Sequence, residues 1–133
     1  MLITREIDYA VRIVRELSNG RKETIDEICR NELIPRQFSY KILKKLEQAG
    51  IVKIYRGAGG GYSLAKDLQD VTLFDVIVSI NAEPLLSECL GHKSDCPMNS
   101  DEGKPCGVHV ELERVQQLTF DHLKEKRLAE LFY

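Results

Sequence analysis

A run of glycines between two short strand-like segments constrains the fold of this chain more than any other feature. Residues 51–55 read Ile-Val-Lys-Ile-Tyr, and residues 62–64 form a return segment. Residues 56–61 between them read Arg-Gly-Ala-Gly-Gly-Gly, which permits a tight reversal and a close approach of the backbone to another molecule. The pattern predicts a β-hairpin. Because the glycines open no helix, they do not match the fingerprint of dinucleotide-binding folds.

Three helices are predicted before this hairpin. Apolar residues follow helical spacing over residues 3–17. Thr24 and Glu27 have the spacing of a capping box, which predicts that a short second helix begins there. Pro35 suits the first turn of a third helix, because its missing N–H would be unpaired in any case, and Gly50 ends that helix.

The third helix is predicted to carry a basic, hydrogen-bonding face opposite an apolar stripe. Together with the short second helix it is typical of a helix-turn-helix, whose second helix enters the major groove of DNA. The hairpin would then be a wing that touches the sugar-phosphate backbone while Arg56 reaches a phosphate or the minor groove. An ordinary helical hairpin with a solvated face is the alternative. The predicted buried stripe consists of Phe38, Ile42, Leu43, Leu46 and Ala49.

The candidate DNA-binding residues divide by their chemistry. Arg and Lys suit guanine, Gln suits adenine, and basic side chains also attract phosphates. The candidates for reading base edges are Arg36, Gln37, Tyr40 and Lys41. Phosphate attraction is expected from Lys41, Lys44, Lys45 and Arg56, with Ser39 suited to either role and Gly57, Gly59, Gly60 and Gly61 forming the tip of the wing.

Charge is distributed unevenly along the chain. Residues 1–66 contain 13 Lys/Arg and 8 Asp/Glu, a balance of +5, whereas residues 67–133 contain 6 and 13, a balance of −7. The basic part suits phosphates. No apolar run approaches the roughly 20 residues that cross a bilayer, and the first residues lack the apolar core of a secretory signal. We therefore expect a cytoplasmic protein that does not span a membrane.

The acidic half is predicted to contain two helices separated by an irregular loop. Thr72 and Asp75 have capping-box spacing before an apolar stripe. From Gly107 a long amphipathic helix follows, which suits dimerisation. Residues 119–133 predict a further short helix. Residues 1–66 are thus interpreted as a DNA-binding region and residues 67–133 as a loop plus a dimerisation helix, within one structural domain.

Three of the four cysteines lie close together in the sequence. Cys89, Cys96 and Cys106 fall inside an 18-residue window, in the loop that spans residues 85–109. Thiolates are preferred ligands of zinc and of iron–sulfur clusters, and the irregular spacing leaves zinc, a cluster and thiol redox chemistry open. Cys29 lies on the second helix, where a free cysteine behaves as a small buried hydrophobic residue.

The residues that carry a resemblance to a known family are IPRQFSYKILKKLEQAGIVKIYRGAGGGYSLAK, with LITREIDYAVR near the start and VTLFDVI later in the chain. They resemble the Rrf2 family of bacterial regulators, in particular its IscR/NsrR-like, cluster-binding branch. The resemblance implies a mainly α fold with a small β-wing, and a homodimer that binds a palindromic operator in double-stranded DNA. It also implies a transcriptional regulator and not an enzyme. The sequence contains no paired-carboxylate site, nucleophile elbow or helix-opening phosphate loop.

The resemblance further implies a sensor. In cluster-binding members, three cysteines at the positions of Cys89, Cys96 and Cys106 hold one iron–sulfur cluster per subunit. The gap before Cys106 is longer here, so both [2Fe-2S] and [4Fe-4S] stay open. The fourth ligand is either His109, as in the IscR-like pattern, or Asp8 from the other subunit, as in the NsrR-like pattern, and His92 in the loop is a third candidate.

The function implied is regulation in which operator affinity depends on a cluster that senses iron–sulfur status, redox state or nitric oxide. The alternative is a cluster-free, CymR-like regulator that senses thiol oxidation or a protein partner.

Overall fold

The fold is known from a computed structural model, which describes residues 2–91, 96–98 and 106–132. Within these ranges the chain is mainly helical with one small antiparallel sheet, which confirms the predicted fold class. None of the helices in these ranges combines the length and the apolar character that a membrane-spanning helix needs. The elements are α1 (Arg5–Leu17), α2 (Ile25–Glu32), α3 (Arg36–Gln48), β1 (Val52–Tyr55), β2 (Gly61–Leu64), α4 (Leu73–Ile80), α5 (Gly107–Leu123) and α6 (Leu128–Leu131), with 3-10 turns at Leu68–Asp70 and Glu88–Leu90.

Both predicted capping boxes are confirmed. The Thr24 hydroxyl accepts from the Glu27 amide at 3.3 Å, and the Glu27 carboxylate accepts from the Thr24 amide at 2.7 Å. Thr72 and Asp75 make the same reciprocal bonds at 3.2 and 2.8 Å. Each box satisfies amides that a helix start leaves unpaired, so α2 and α4 begin where the sequence predicts. Pro35 instead occupies the N-cap of α3, so the helix begins at Arg36, one residue after the predicted start.

The buried face of α3 differs from the predicted stripe. Ile42, Leu43 and Leu46 are fully buried as expected, but the fourth buried residue is Ser39. Residues 39, 42, 43 and 46 have the i, i+3, i+4, i+7 spacing of one helical stripe, and Phe38 and Ala49 flank it. Phe38 is 40% exposed, with its ring 6.2 Å from that of Tyr9. The predictions for Phe38 and Ala49 were therefore wrong.

An ion pair between the half-exposed Arg15 and the buried Glu32 joins α1 to the end of α2. The Glu32 side chain is nearly inaccessible, and Arg15 donates to both of its oxygens, with the Nε–Oε1 distance at 3.0 Å. Bidentate pairs of this kind fix orientation as well as charge. The backbone then turns at Leu33, whose φ of 55° is left-handed, before α3 begins.

The wing is a sheet with a third, short contact. β1 and β2 pair from Val52↔Leu64 to Tyr55↔Gly61. Glu23 extends the sheet, because its amide donates to the Tyr62 carbonyl at 2.9 Å and its carbonyl accepts from the Tyr62 amide at 2.8 Å. Gly61 lies against this contact, and a Cβ there would stand 2.8 Å from the Glu23 carbonyl oxygen.

The C-terminal segment returns to the core. Leu128 in α6 is fully buried, and its amide donates to the Val71 carbonyl at 2.8 Å. The short helix was expected from the sequence, but its attachment beside the start of α4 was not.

Candidate DNA-binding surface and cysteine cavity

The exposed side of α3 carries most of the side chains predicted to contact DNA. Arg36, Gln37, Tyr40, Lys41 and Lys44 are all exposed. All five lie on the side of α3 opposite its buried stripe. The structure therefore brings these five predicted residues together on one face.

Ser39 was predicted to contact DNA, but its side chain is fully buried, so this prediction was wrong. Its hydroxyl donates to the Pro35 carbonyl at 3.3 Å and lies 3.2 Å from the Cys29 sulfur. Ser39 therefore joins α2 to α3 and does not face DNA. Cys29 is half-buried in the same contact, and its packing against the core agrees with the expected structural role.

Lys45 has internal partners that the sequence did not reveal. Its Nζ donates to the Glu6 carboxylate at 3.2 Å and to the Ile80 carbonyl at 3.2 Å. Lys41 donates to the same carboxylate at 3.1 Å. The hydrogen bond from Lys41, followed by that from Lys45, holds the pKa of Glu6 below its ordinary value. Glu6 thus fastens α1 to α3, and Lys45 is only partly available to a phosphate.

Arg36 is held at the first position of α3 by two neighbours. Its Nε and Nη2 donate to the Tyr40 hydroxyl at 3.2 and 3.0 Å, and its Nη1 donates to Asp26 in the first turn of α2. The Tyr40 hydrogen bond, followed by the charge of Asp26, raises the pKa of Arg36. Asp26 was not predicted, because a first-turn acidic residue is expected simply to stabilise its own helix.

The wing tip places the remaining predicted residues together. Arg56, Gly57 and Gly59 are exposed there, and Gly57 adopts a φ of 87°. Gly60 closes the turn with a 2.9 Å bond from its amide to the Gly57 carbonyl. Gly61, however, is buried against the Glu23 backbone that bridges to β2, so its need for glycine arises from packing inside the protein.

Lys22 is a basic residue near the wing tip that sequence reasoning missed. Its Nζ donates to the Gly59 carbonyl and lies 5.1 Å from the centre of the Tyr55 ring. Lys53 approaches the same ring at 5.0 Å. Lys53 belongs to β1, whereas Lys22 reaches the hairpin because Glu23 pairs with Tyr62 of β2, a long-range contact that no local pattern signals.

The three clustered cysteines line one small cavity. Cys89 lies in a 3-10 turn, Cys96 is exposed, and Cys106 is the N-cap of α5. Together with Val108 and His109 they line a largely apolar space of about 120 Å³. The start of α5 lies at its edge, where the helix dipole favours a negatively charged occupant. Cys89, Cys96 and Cys106 are therefore neighbours, as the sequence predicted.

The same cavity is not a preformed metal site. Within the described ranges, no three His, Cys, Asp or Glu side chains are arranged to bind a metal ion. The shared lining shows proximity and soft donor chemistry, which fit a cluster or zinc, and ligation would require the thiols to draw closer. Residues 92–95 and 99–105, which belong to the predicted 85–109 loop, lie outside the described residues.

His109 and Asp8, two of the three candidates for a fourth ligand, lie in different places, and His92 lies outside the described residues. His109 lines the cysteine cavity itself. Asp8 pairs with Arg12 at 3.0 Å and lines a separate apolar groove of about 310 Å³ between α1, α4 and the end of α5. Of His109 and Asp8, therefore, only His109 adjoins the cysteines within one chain.

Helix α5 exposes an apolar stripe. No residue of α5 is buried in the part of the chain that the structure describes. Val108, Val115 and Leu118 recur at helical spacing and are 68%, 38% and 60% exposed. On its other side, Phe120 packs on Phe74 with ring centres 5.1 Å apart. The stripe is thus an apolar surface that the described part of the chain leaves exposed.

Comparison with known proteins agrees with this arrangement. The sequence matches the Rrf2 family, described as "Iron-dependent Transcriptional regulator", over residues 3–133. Protein aau3 of Rhizobium meliloti (strain 1021) is 31% identical over 134 residues, which span 98% of this chain and 84% of that protein.

Two solved structures show the shared fold. T. potens IscR matches with a TM-score of 0.73 at 21% identity, over 96% of this chain and 83% of that one. The oxidised form of Staphylococcus aureus CymR matches with a TM-score of 0.73 at 20% identity, over 98% and 95%. The chain therefore belongs to the Rrf2 family of DNA-binding transcriptional regulators and is not an enzyme.

Proposed function

We propose that this chain is a homodimeric bacterial regulator, acting in the cytoplasm, whose affinity for a palindromic operator depends on an iron–sulfur cluster. The observation that carries the proposal is the single cavity lined by Cys89, Cys96 and Cys106 in a chain of this family. Residues 1–66 bind DNA, and residues 67–133 sense and dimerise. The signal is iron–sulfur status, redox state or nitric oxide.

DNA recognition is assigned to α3 and the wing. Two α3 helices enter successive major grooves, where Arg36, Gln37 and Tyr40 read base edges. Lys44 and Arg56, both exposed, attract phosphates, so binding weakens as salt rises. Lys41 adds to this attraction while it is bonded to Glu6.

Dimerisation is assigned to α5. The exposed stripe of Val108, Val115 and Leu118 lies on a helix of 17 residues, long enough for two copies to pack side by side. An isologous contact of this kind gives the two-fold symmetry that a palindromic operator requires.

The cluster is assigned to the three thiols, whose donor type and apolar surroundings fit it. A bound cluster supplies a centre whose oxidation, nitrosylation or loss changes the charge of the cavity. Its nuclearity is [2Fe-2S] or [4Fe-4S]. The fourth ligand is His109, which lines the cavity, or Asp8 of the partner subunit.

The route from cavity to DNA runs through Lys45. Ile80, whose carbonyl accepts from Lys45, is the last residue of α4, and the chain leaves it toward Cys89. Lys45 also holds Glu6 on α1, the helix that carries Asp8. A shift of α4 or α1 on cluster binding would therefore move α3, the helix that reads DNA.

The first experiment is anaerobic purification, with visible absorption, iron and acid-labile sulfide measured. We expect iron with matching sulfide in the wild type and in Cys29→Ala, the matched control outside the cavity, and loss of the chromophore in Cys96→Ala. A colourless, iron-free wild type would contradict the cluster.

Two further variants separate the fourth ligands. His109→Ala and Asp8→Ala are compared by the absorption spectrum and the rate of cluster loss. A ligand from the partner subunit also disappears in a monomeric variant, whereas His109 remains. A spectrum that depends on Asp8 and on the dimer would assign Asp8, and one that depends on His109 alone would assign His109.

The Lys45 route is tested with a neighbouring control. Lys45→Met is expected to reduce the difference in operator affinity between the cluster-loaded and cluster-free forms. The reason is that this variant lacks the hydrogen bond to Ile80 that joins α3 to α4. Lys44→Met is expected to weaken both forms equally and to lower the salt slope by about one unit. Equal separation of the two forms in both variants would exclude the Lys45 route.

A cluster-free regulator that senses thiol oxidation or a protein partner is the second candidate. It is favoured by the lack of a preformed ligand group in the described residues and by a likeness to CymR equal to that to IscR. A colourless wild type that binds its operator, with affinity changed by peroxide, would support it over the cluster.

A further inference from the structure

Asp26 is an exposed carboxylate beside the DNA-reading end of α3. It lies in the first turn of α2, and its side chain is 67% exposed. The residue that it contacts, Arg36, is the first residue of α3 and is 57% exposed. The N-terminal residues of a recognition helix contact bases in the major groove. With α3 in that groove, the carboxylate beside its first residue would lie close to the DNA phosphates.

A carboxylate in this place has an electrostatic cost. It repels the phosphates that the neighbouring basic residues attract, so it lowers affinity for any DNA sequence. Exposed ion pairs also add little to folding stability. Affinity for DNA therefore does not account for a negative charge beside the start of the reading helix, and in the first turn of α2 it adds only the modest stabilisation that any acidic residue gives a helix start.

The geometry around Arg36 offers another role. Asp26 accepts from Nη1, and the Tyr40 hydroxyl accepts from Nε at 3.2 Å and from Nη2 at 3.0 Å. Three of the five guanidinium N–H groups are thus engaged, from two different helices. The planar group is fixed in orientation, with two donors left for a ligand that has two acceptors.

We propose that Asp26 is a positioning residue for base recognition, which holds the Arg36 guanidinium so that its two remaining donors meet one guanine. Guanine presents two adjacent acceptors, N7 and O6, in the major groove. Asp26 lowers the affinity for DNA in general but increases discrimination at one base pair. The reason is that the Arg36 guanidinium is already oriented before DNA binds. This inference rests on the proposed DNA-binding role of α3.

The test is selection from a random double-stranded DNA library with full-length protein, followed by affinities for the selected site and for unrelated DNA. Asp26→Ala removes both the charge and the hydrogen bond. We expect it to lose about tenfold of the preference for guanine at one position, while its affinity for unrelated DNA rises. Arg36→Lys should lose the preference at that same position.

Two controls separate orientation from charge. Asp26→Asn keeps an acceptor for Nη1 but no charge, so affinity for unrelated DNA should rise while the guanine preference is largely retained. Glu47→Ala removes a carboxylate elsewhere on α3 and should leave the preference unchanged. The melting temperature of each variant is measured, so that general loss of folding is recognised.

The outcomes distinguish this inference from the proposed function. If the wild type enriches a site and Asp26→Ala keeps the full guanine preference, or loses both affinities together, the positioning role is wrong and DNA binding stands. If the wild type enriches no sequence, both the positioning role and operator binding fail.

Discussion

Helices α1 and α5 show how differently the two halves of the chain are packed. Five residues of the 13-residue α1 are buried, whereas the 17-residue α5 buries none among the described residues. The stripe of α1 is covered by α2, α3 and α4, which complete the helix-turn-helix within one chain. Within residues 2–91, 96–98 and 106–132, no element covers the stripe of α5 in this way. Residues 1–66 therefore form most of a packed core within one chain, and the exposed stripe of α5 is what the proposed second copy would cover.

The largest effect on stability is expected at a buried leucine of α3, compared with an exposed leucine of α5. Leu43→Ala should lower the free energy of unfolding by about 3 kcal/mol, because Leu43 is fully buried in α3. Urea unfolding at two protein concentrations should give the same loss. For Leu118→Ala the loss should shrink toward zero as protein is diluted below the dimer dissociation constant. A loss at Leu118 that is independent of concentration would mean that one chain covers α5.

The next effect concerns the apolar stripe of α5 directly. Leu118→Glu should raise the dimer dissociation constant on the order of 100-fold, because a charge would be buried in an apolar contact. Gln117→Glu adds the same charge beside it, at an exposed polar position, and should change the constant little. Sedimentation velocity measures both. Equal dissociation of the two variants, or of neither, would place the interface elsewhere.

The smallest effect concerns Glu23, a buried carboxylate in residues 1–66. Glu23 is 6% exposed, and its Oε2 has no hydrogen-bond partner among the described residues. Burial raises the pKa of Glu23 above its ordinary value of 4.5, against the opposing hydrogen bond from Asn19. Glu23→Gln should therefore stabilise the protein at neutral pH by about 1 kcal/mol.

The pH dependence gives the sign of this effect. The folded pKa is the higher one, so the ionised carboxylate destabilises the fold above that pKa, and protonation relieves the cost as pH falls through it. The difference in free energy of unfolding between Glu23→Gln and the wild type should thus be largest at neutral pH. It should approach zero as the pH falls toward 4.5. Urea unfolding across this range measures it, and a constant difference would point to another cause.

Features set by neighbours in the sequence were predictable, and long-range contacts were not. The capping boxes at Thr24 and Thr72, the hairpin and the start of α5 follow from local patterns. The burial of Ser39, the bonds of Lys45 to Glu6 and Ile80, and the return of Leu128 depend on elements far apart in the chain. The cysteine cavity falls between these cases: its residues were predicted as a set, but their lack of preformed ligand geometry was not.

The most direct measurement is the operator affinity of cluster-loaded and cluster-free protein at one salt concentration, with the operator taken from the library selection. For the wild type and Cys29→Ala we predict that the two forms differ at least about tenfold. For Cys96→Ala, iron and sulfide treatment should leave the affinity unchanged. Identical affinities of the loaded and free wild type would contradict a regulator whose DNA binding is set by its cysteine cavity.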